Sequence, residues 1–114
     1  MRNQTINRAE LKGRIGTVRI CSINDRLVAN FSLATERHYT DTSKNNVVEV
    51  TWHHVVVWEG KGINLGGLGR GVLVHVKGHL RNSKYTDAQG CERVFTELVA
   101  NSLDITNENA IKDD

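Results

Sequence analysis

Proline is absent from this sequence, cysteine occurs twice and methionine once. Without proline there is no Pro-rich linker or polyproline segment. The two cysteines, Cys21 and Cys91, are too few for a disulfide framework, so a reducing, cytoplasmic location is the default expectation. No apolar run approaches the roughly 20 residues that span a bilayer. The start, Met1-Arg2-Asn3-Gln4-Thr5, lacks the apolar core of a signal peptide, and no membrane association is expected. Aromatics are scarce, with two each of Trp, Tyr and Phe. What remains is 114 residues, 39% hydrophobic and 25% charged, enough for one globular domain with one core.

The net charge of +2 hides an asymmetry. Up to residue 85 there are 13 Lys/Arg against 6 Asp/Glu, and after it 2 against 7. A basic body with an acidic end fits a polyanionic partner, but on charge alone a mixed, solvated surface is the stronger reading.

Val and Thr dominate over Leu and Ala, which favours strands. The first β segment covers 8–21, with Leu11, Gly13 and Ile15, and with Gly16 marking a bulge or tight bend. Ser22-Ile23-Asn24-Asp25 reads as a turn. The second segment, 27–38, alternates Ala29, Phe31 and Leu33 with Val28, Asn30 and Ser32, a half-buried pattern. A polar loop at 40–46 leads to the longest β run, 47–58. Five glycines, Gly60, Gly62, Gly66, Gly67 and Gly69, then argue against a stable helix, since each costs about 1 kcal/mol against Ala. At most a short helical turn is expected there, from Ile63 to Leu68. The fourth segment, 72–82, turns Val72, Val74 and Val76 inward, and Thr86-Asp87-Ala88-Gln89-Gly90 reads as a hairpin tip. The fifth, 91–105, carries Val94, Leu98 and Val99. Five strands with the only helical candidate between the third and fourth predict an all-β, five-stranded OB-fold barrel with extended hairpins. The domain is expected to cover 1–105, followed by a short polar tail at 106–114.

No catalytic or metal site emerges. His75 and His79 are four apart on a strand, about 13 Å at about 3.3 Å per residue, too far to share an ion. His53 and His54 point to opposite faces. Cys21 and Cys91 have no distinctive neighbours, and the glycine cluster lacks the Gly-Lys-Ser/Thr of a phosphate loop. Neither an enzyme nor a cofactor is expected.

The aromatics are more informative. Phe31 lies among core residues. Trp52 and Trp58 are six apart and project from one face of a regular strand. Tyr39 follows Arg37-His38, and Tyr85 follows Arg81-Asn82-Ser83-Lys84. Aromatics beside basic residues at strand ends fit a groove in which bases stack on rings and Lys/Arg follow the phosphates. The same spacing is met if the tryptophans are core and the tyrosines flank hairpins on the surface.

Four blocks carry a family resemblance. Val28-Ala29-Asn30-Phe31-Ser32-Leu33-Ala34-Thr35 resembles the second strand of bacterial single-stranded DNA-binding proteins. Thr51-Trp52-His53-His54-Val55-Val56-Val57-Trp58 resembles their third. Gly71 to Lys77, and Gly78-His79-Leu80-Arg81-Asn82-Ser83-Lys84-Tyr85-Thr86-Asp87, resemble the fourth strand and its hairpin. The likeness runs from Asn7 to Ile105. It departs in a shorter first-strand region, Leu11 to Ile20, and in Gly62 to Gly69 where relatives have an alanine-rich helix.

The resemblance implies an OB fold that binds single-stranded DNA without sequence preference, as a homo-oligomer, usually a tetramer, at the nucleoid during replication, recombination and repair. It implies stacking by Tyr39, Trp52, Trp58 and Tyr85. Arg37, Lys61, Arg81 and Lys84 are the implied phosphate contacts, and His53 matches a subunit-interface histidine. Relatives recruit repair enzymes through an acidic tip ending in Pro-Phe. Ile111-Lys112-Asp113-Asp114 does not match it, so such recruitment is not expected. The alternative is an OB-fold primosome or assembly factor acting mainly through protein contacts. Such relatives lose several stacking aromatics, and all four are kept here.

Overall fold

The computed structural model describes residues 4–106. Its five strands are β1 (Ala9–Ile23), β2 (Arg26–Thr40), β3 (Asn46–Trp58), β4 (Leu73–Thr86) and β5 (Glu92–Ile105). They form a closed barrel in the order β1-β2-β3-β5-β4, with β4 returning to pair with β1. All pairings are antiparallel except β3 with β5, where residues 54–57 run parallel to 97–100. The expected all-β, five-stranded barrel is therefore what forms, and closure confines free edges to the β2–β3 and β4–β5 hairpin arms. The expected tail lies outside the described residues from 107 onward.

Local chemistry sets the hairpins. Asn24 (φ 51°) and Asp25 (φ 64°) are both left-handed, so β1 and β2 join through a two-residue turn whose twist matches the strands. The other two hairpins are closed by one repeated device. The Asp41 carboxylate accepts hydrogen bonds from the backbone N–H of Ser43 and Asn45, and Asp87 does the same for Gln89 and Cys91, at 2.9–3.0 Å. The position three after each Asp, Lys44 or Gly90, has positive φ. An Asp side chain bonding the backbone two residues on is a turn-former of this kind. Residues 82–85 pair with 93–96, which carries β4 beyond the end expected at 82 into a long hairpin arm.

The core is the inward set of these strands. Phe31, Leu33, Val55, Val57, Val74, Val76 and Leu98 are fully buried, with Ile15, Ala29, Ala100 and Leu103 beside them. The glycine-rich segment between β3 and β4 forms turns and one isolated bridge, Gly60 to Ile63, with no helix among the described residues. It closes one end of the barrel by inserting Leu65, with Ile63 and Leu68 packed alongside.

Two register shifts shape the wall. In β1, the span from Ile15 to Val18 opposes only Leu33 to Phe31, so an extra residue is accommodated at Gly16-Thr17. The Thr17 N–H, displaced from the ladder, donates instead to Ser32 Oγ at 2.9 Å. In β5, Lys77 pairs with Ser102 and Gly78 with Ala100, which makes Asn101 the extra residue. Bulges of this kind bend strands around a barrel. At Gly78 the strands approach so closely that a Cβ would lie 1.9 Å from the Val99 carbonyl oxygen.

Candidate functional site

Because Val55 and Val57 point inward, Trp52, His54, Val56 and Trp58 line the outer face of β3. On β2 the outer set is Asn30, Ser32 and Ala34, and on β5 it includes Phe95 and Glu97, alternating with buried Leu98. Across β5, Arg81, Ser83 and Tyr85 of β4 stand opposite Glu97, Phe95 and Arg93. One continuous outer face thus crosses β1, β2, β3, β5 and the β4–β5 arm.

Trp52 is 59% exposed, and its ring rests on Gly16 at the β1 bulge. A Cβ at Gly16 would come within 2.6 Å of Trp52 Cζ3, so the glycine forms a floor that leaves room for the rim of the indole. Beside it, Thr17, Val18, Arg19, Asn30, Ser32 and His54 line a shallow groove. Trp58 is half-buried at the far end of the same row, and the Arg26 guanidinium lies 5.0 Å above its ring. Such a cation–π contact holds both groups in place.

The centre of the face is polar. His54 Nε2 sits 3.1 Å from Asn30 Oδ1 and 3.6 Å from Glu97 Oε1. Glu97 is buried, and its Oε2 accepts from Arg81 Nε at 2.9 Å, from a terminal nitrogen of the same guanidinium, and from Ser83 Oγ at 2.8 Å. Burial pushes the Glu97 carboxyl up. The Arg81 and Ser83 hydrogen bonds and the Arg81 and His54 charges more than offset that and hold its pKa below the usual glutamate value. The charge of Arg81 is thus shared with a carboxylate under the face. His54 meets Phe95 edge-on at 5.3 Å, and Phe95 meets Tyr85 edge-on at 5.8 Å. Tyr85 is 52% exposed.

The barrel therefore brings Trp52, Trp58, Tyr85 and Arg81 onto one face. Other expected site residues lie elsewhere. Ala34 pairs with Trp52 and Tyr39 with Val47, an odd spacing that puts Tyr39 and Arg37 on the opposite side of the β2–β3 ribbon. There the Arg37 guanidinium lies 4.5 Å over the Tyr39 ring and pairs with Glu49 at 3.2 Å. Lys84 alternates with Tyr85 and lies on the reverse of the β4–β5 arm, opposite Val94. Lys61 is exposed in the glycine-rich loop. His53 alternates with His54 toward the barrel interior, half-buried, with Nε2 2.9 Å from Thr35 Oγ1. Burial lowers its pKa. The alternation of β2 and β3 already placed Asn30 and His54 on this face, whereas sequence reasoning missed Arg19, Phe95 and Glu97 as members of it. The alternation of Phe95 and Glu97 with Leu98 and Ala100 was the available signal. Among the described residues, no group of three or more His, Cys, Asp or Glu is placed to hold a metal ion. The face offers rings, hydrogen-bonding groups and guanidinium charge, a chemistry of contact with a flat, anionic polymer.

Comparison with known proteins gives one consistent result. The model of the single-strand binding protein family matches residues 6–106. The single-stranded DNA-binding protein of Neisseria meningitidis is 32% identical over 93% of this chain and 64% of its own length. That of Xanthomonas campestris is 38% identical over 67% of this chain and 45% of its own. The chain thus spans less than two thirds of the curated relatives it matches. A Plasmodium falciparum SSB solved in complex with single-stranded DNA superposes with a TM-score of 0.77 at 28% identity, covering 94% of this chain and 100% of the other. The Thermus aquaticus single-stranded DNA binding protein, a deletion mutant, shares the fold at 19% identity and a TM-score of 0.72, over 90% of this chain and 51% of its own.

Proposed function

The chain belongs to the single-strand binding protein family, and from that membership we propose that it coats single-stranded DNA without regard to sequence. The observation that carries this is the shared outer face of Trp52, Trp58 and Tyr85. Rings give every base a π surface, worth about 1–3 kcal/mol per stacked base, whatever its identity. Arg19, Arg26 and Arg81 lie along the same face for the phosphates. Tyr39 with Arg37, on the reverse of the β2–β3 arm, engages a strand that continues around the edge of that arm, and Lys84 does so behind the β4–β5 arm. The role is protective binding during replication, recombination and repair, at the nucleoid, with no catalytic step. We also propose a homo-oligomeric state, a tetramer, with His53 near the subunit contact. Light scattering tests it, and a monomer overturns it.

The experiment for the main role is a tryptophan-fluorescence titration with oligothymidine at two salt concentrations, with duplex DNA as control. Expected are strong quenching by the single strand alone, and weaker binding at higher salt with a log–log slope of about −0.7 per phosphate contacted. A folded sample that shows no quenching refutes the coating role and favours a barrel that acts through protein contacts.

A further inference from the structure

We propose that Phe95 is a fifth base-stacking platform, joining the β3 aromatics to Tyr85 in one uninterrupted track, a role that rests on the coating function proposed above. Phe95 lies on the outer side of β5, opposite Ser83 and two residues before Glu97. Its ring is not part of the hydrophobic core cluster. Its two aromatic neighbours contact it at interplanar angles of 70° and 61°, so neither lies parallel across its face. Aromatic pairs in this edge-on arrangement are mutually stabilising and fix the ring's orientation. Without Phe95, the surface between His54 and Tyr85 would consist of Ser83 and the Arg81–Glu97 pair, which offer no ring to a base. With it, the order across β3, β5 and β4 is Trp52, His54, Phe95, Tyr85. Phe95 thus puts a ring between His54 and Tyr85, where the face would otherwise be polar.

The test compares the full chain with three variants in an anisotropy titration of labelled oligothymidine, with thermal melts to show that each is folded. Phe95→Leu keeps apolar bulk and removes the ring. Phe95→Tyr keeps the ring. Trp52→Ala reports on the coating role itself. Expected are an affinity loss of about tenfold for Phe95→Leu, at the low end for one stacked base, and affinity within about twofold of the parent for Phe95→Tyr. Phe95→Leu binding like the parent while Trp52→Ala weakens overturns the proposal and leaves the coating role standing. Equal weakening by Leu and Tyr makes Phe95 a packing residue and also overturns it. Absence of binding by the parent chain overturns both readings.

Discussion

Replacing Gly16 with alanine tests whether the seat of Trp52 matters for binding. The added Cβ would lie 2.6 Å from Trp52 Cζ3, 2.9 Å from Cη2 and 2.8 Å from Ser32 Oγ. Carbon atoms rest at about 3.5 Å or more, so the rim of the indole must withdraw by about 0.9 Å. Two of the three obstructing atoms are the far end of a mostly exposed side chain, which can tilt, and a tilt within about 30° of a rotamer costs about 0.5–1.5 kcal/mol. The third, Ser32 Oγ, accepts the Thr17 N–H, and weakening that bond costs about 0.5–1.5 kcal/mol more. Alanine also restricts the unfolded chain, which returns about 0.4–1 kcal/mol. Net stability should therefore fall by no more than about 2 kcal/mol. Affinity should fall by up to the whole stacking contribution of Trp52, about 1–3 kcal/mol. Urea denaturation reads the first quantity and an oligothymidine titration the second. The Gly16→Ala/Trp52→Ala double variant separates cause from coincidence: if alanine acts through the indole, it adds nothing once the indole is gone. Parent-like DNA affinity in Gly16→Ala, or full additivity in the double variant, would refute the floor argument.

Gly78→Ala contrasts with this, because its Cβ would meet the Val99 carbonyl oxygen and Ala100 Cα, which are backbone and cannot swing away. A stability loss of about 3 kcal/mol is expected, read as a lower urea midpoint at unchanged slope, and a loss under about 1 kcal/mol would contradict the close approach of β4 and β5. Glu97→Gln should destabilise by about 1–2 kcal/mol, since Arg81 and Ser83 keep a neutral acceptor but lose the charge. The Glu97 pKa is depressed, so its stabilisation is present above the ordinary glutamate value and is lost as pH falls through the folded one. The parent should therefore lose stability in acid more steeply than Glu97→Gln, and parallel acid limbs would argue against the ion pair. His53 also has a depressed pKa, so the native state holds fewer protons than the unfolded chain as pH drops below about 6.5. Melting temperature should decline from pH 7 to pH 5 less in His53→Gln than in the parent, and identical slopes would reject burial of the imidazole.

Much of this architecture is legible in the sequence where period two runs unbroken. Ala29, Phe31 and Leu33 alternate cleanly, and so do Val55 and Val57 against Trp52 and Trp58. The outer face of β2 and β3 follows directly. The phase of β5 cannot be counted along its whole length, because Asn101 is an extra residue: Leu98 and Ala100 face inward on one side of it and Leu103 on the other. Phe95 and Glu97 lie before that shift and keep phase with Leu98 and Ala100, but the apolar Val94 and Val99 put hydrophobic residues on both sides of the strand and blur the pattern. The meeting of Phe95 and Glu97 with His54 also depends on the parallel pairing of β3 and β5, a contact between segments some forty positions apart that no local pattern encodes. Tyr39 shows a different limit. Alternation continued from Phe31 and Leu33 puts it on the side away from Trp52, and it holds because β2 pairs with β3 without a bulge out to Thr40. The family resemblance groups the two rings in one role, and only the strand phase shows that they stand on opposite sides of the arm. Arg81 resembles a free cation in a basic stretch until the buried carboxylate beneath it is found.

The insertion of β5 between β3 and β4 also fixes the order in which a newly made chain can be completed. Until residues 92–105 have left the ribosome, β4, β1, β2 and β3 can form only an open sheet, with β3 at one edge and β4 at the other. Both edges carry unpaired backbone groups, and β3 is also valine-rich, the features that invite pairing with another chain. The turn at 87–91 lets β5 fold back on β4 first, as a local hairpin. Docking of 97–100 along 54–57 then closes the wall and must bring distant segments together. Such non-local closure is slow relative to hairpin formation. The period of greatest exposure to aggregation thus falls between synthesis of β4 and seating of β5, and the step that ends it also aligns His54 with Glu97 and Phe95. Completion of the fold and assembly of the outer face are one event.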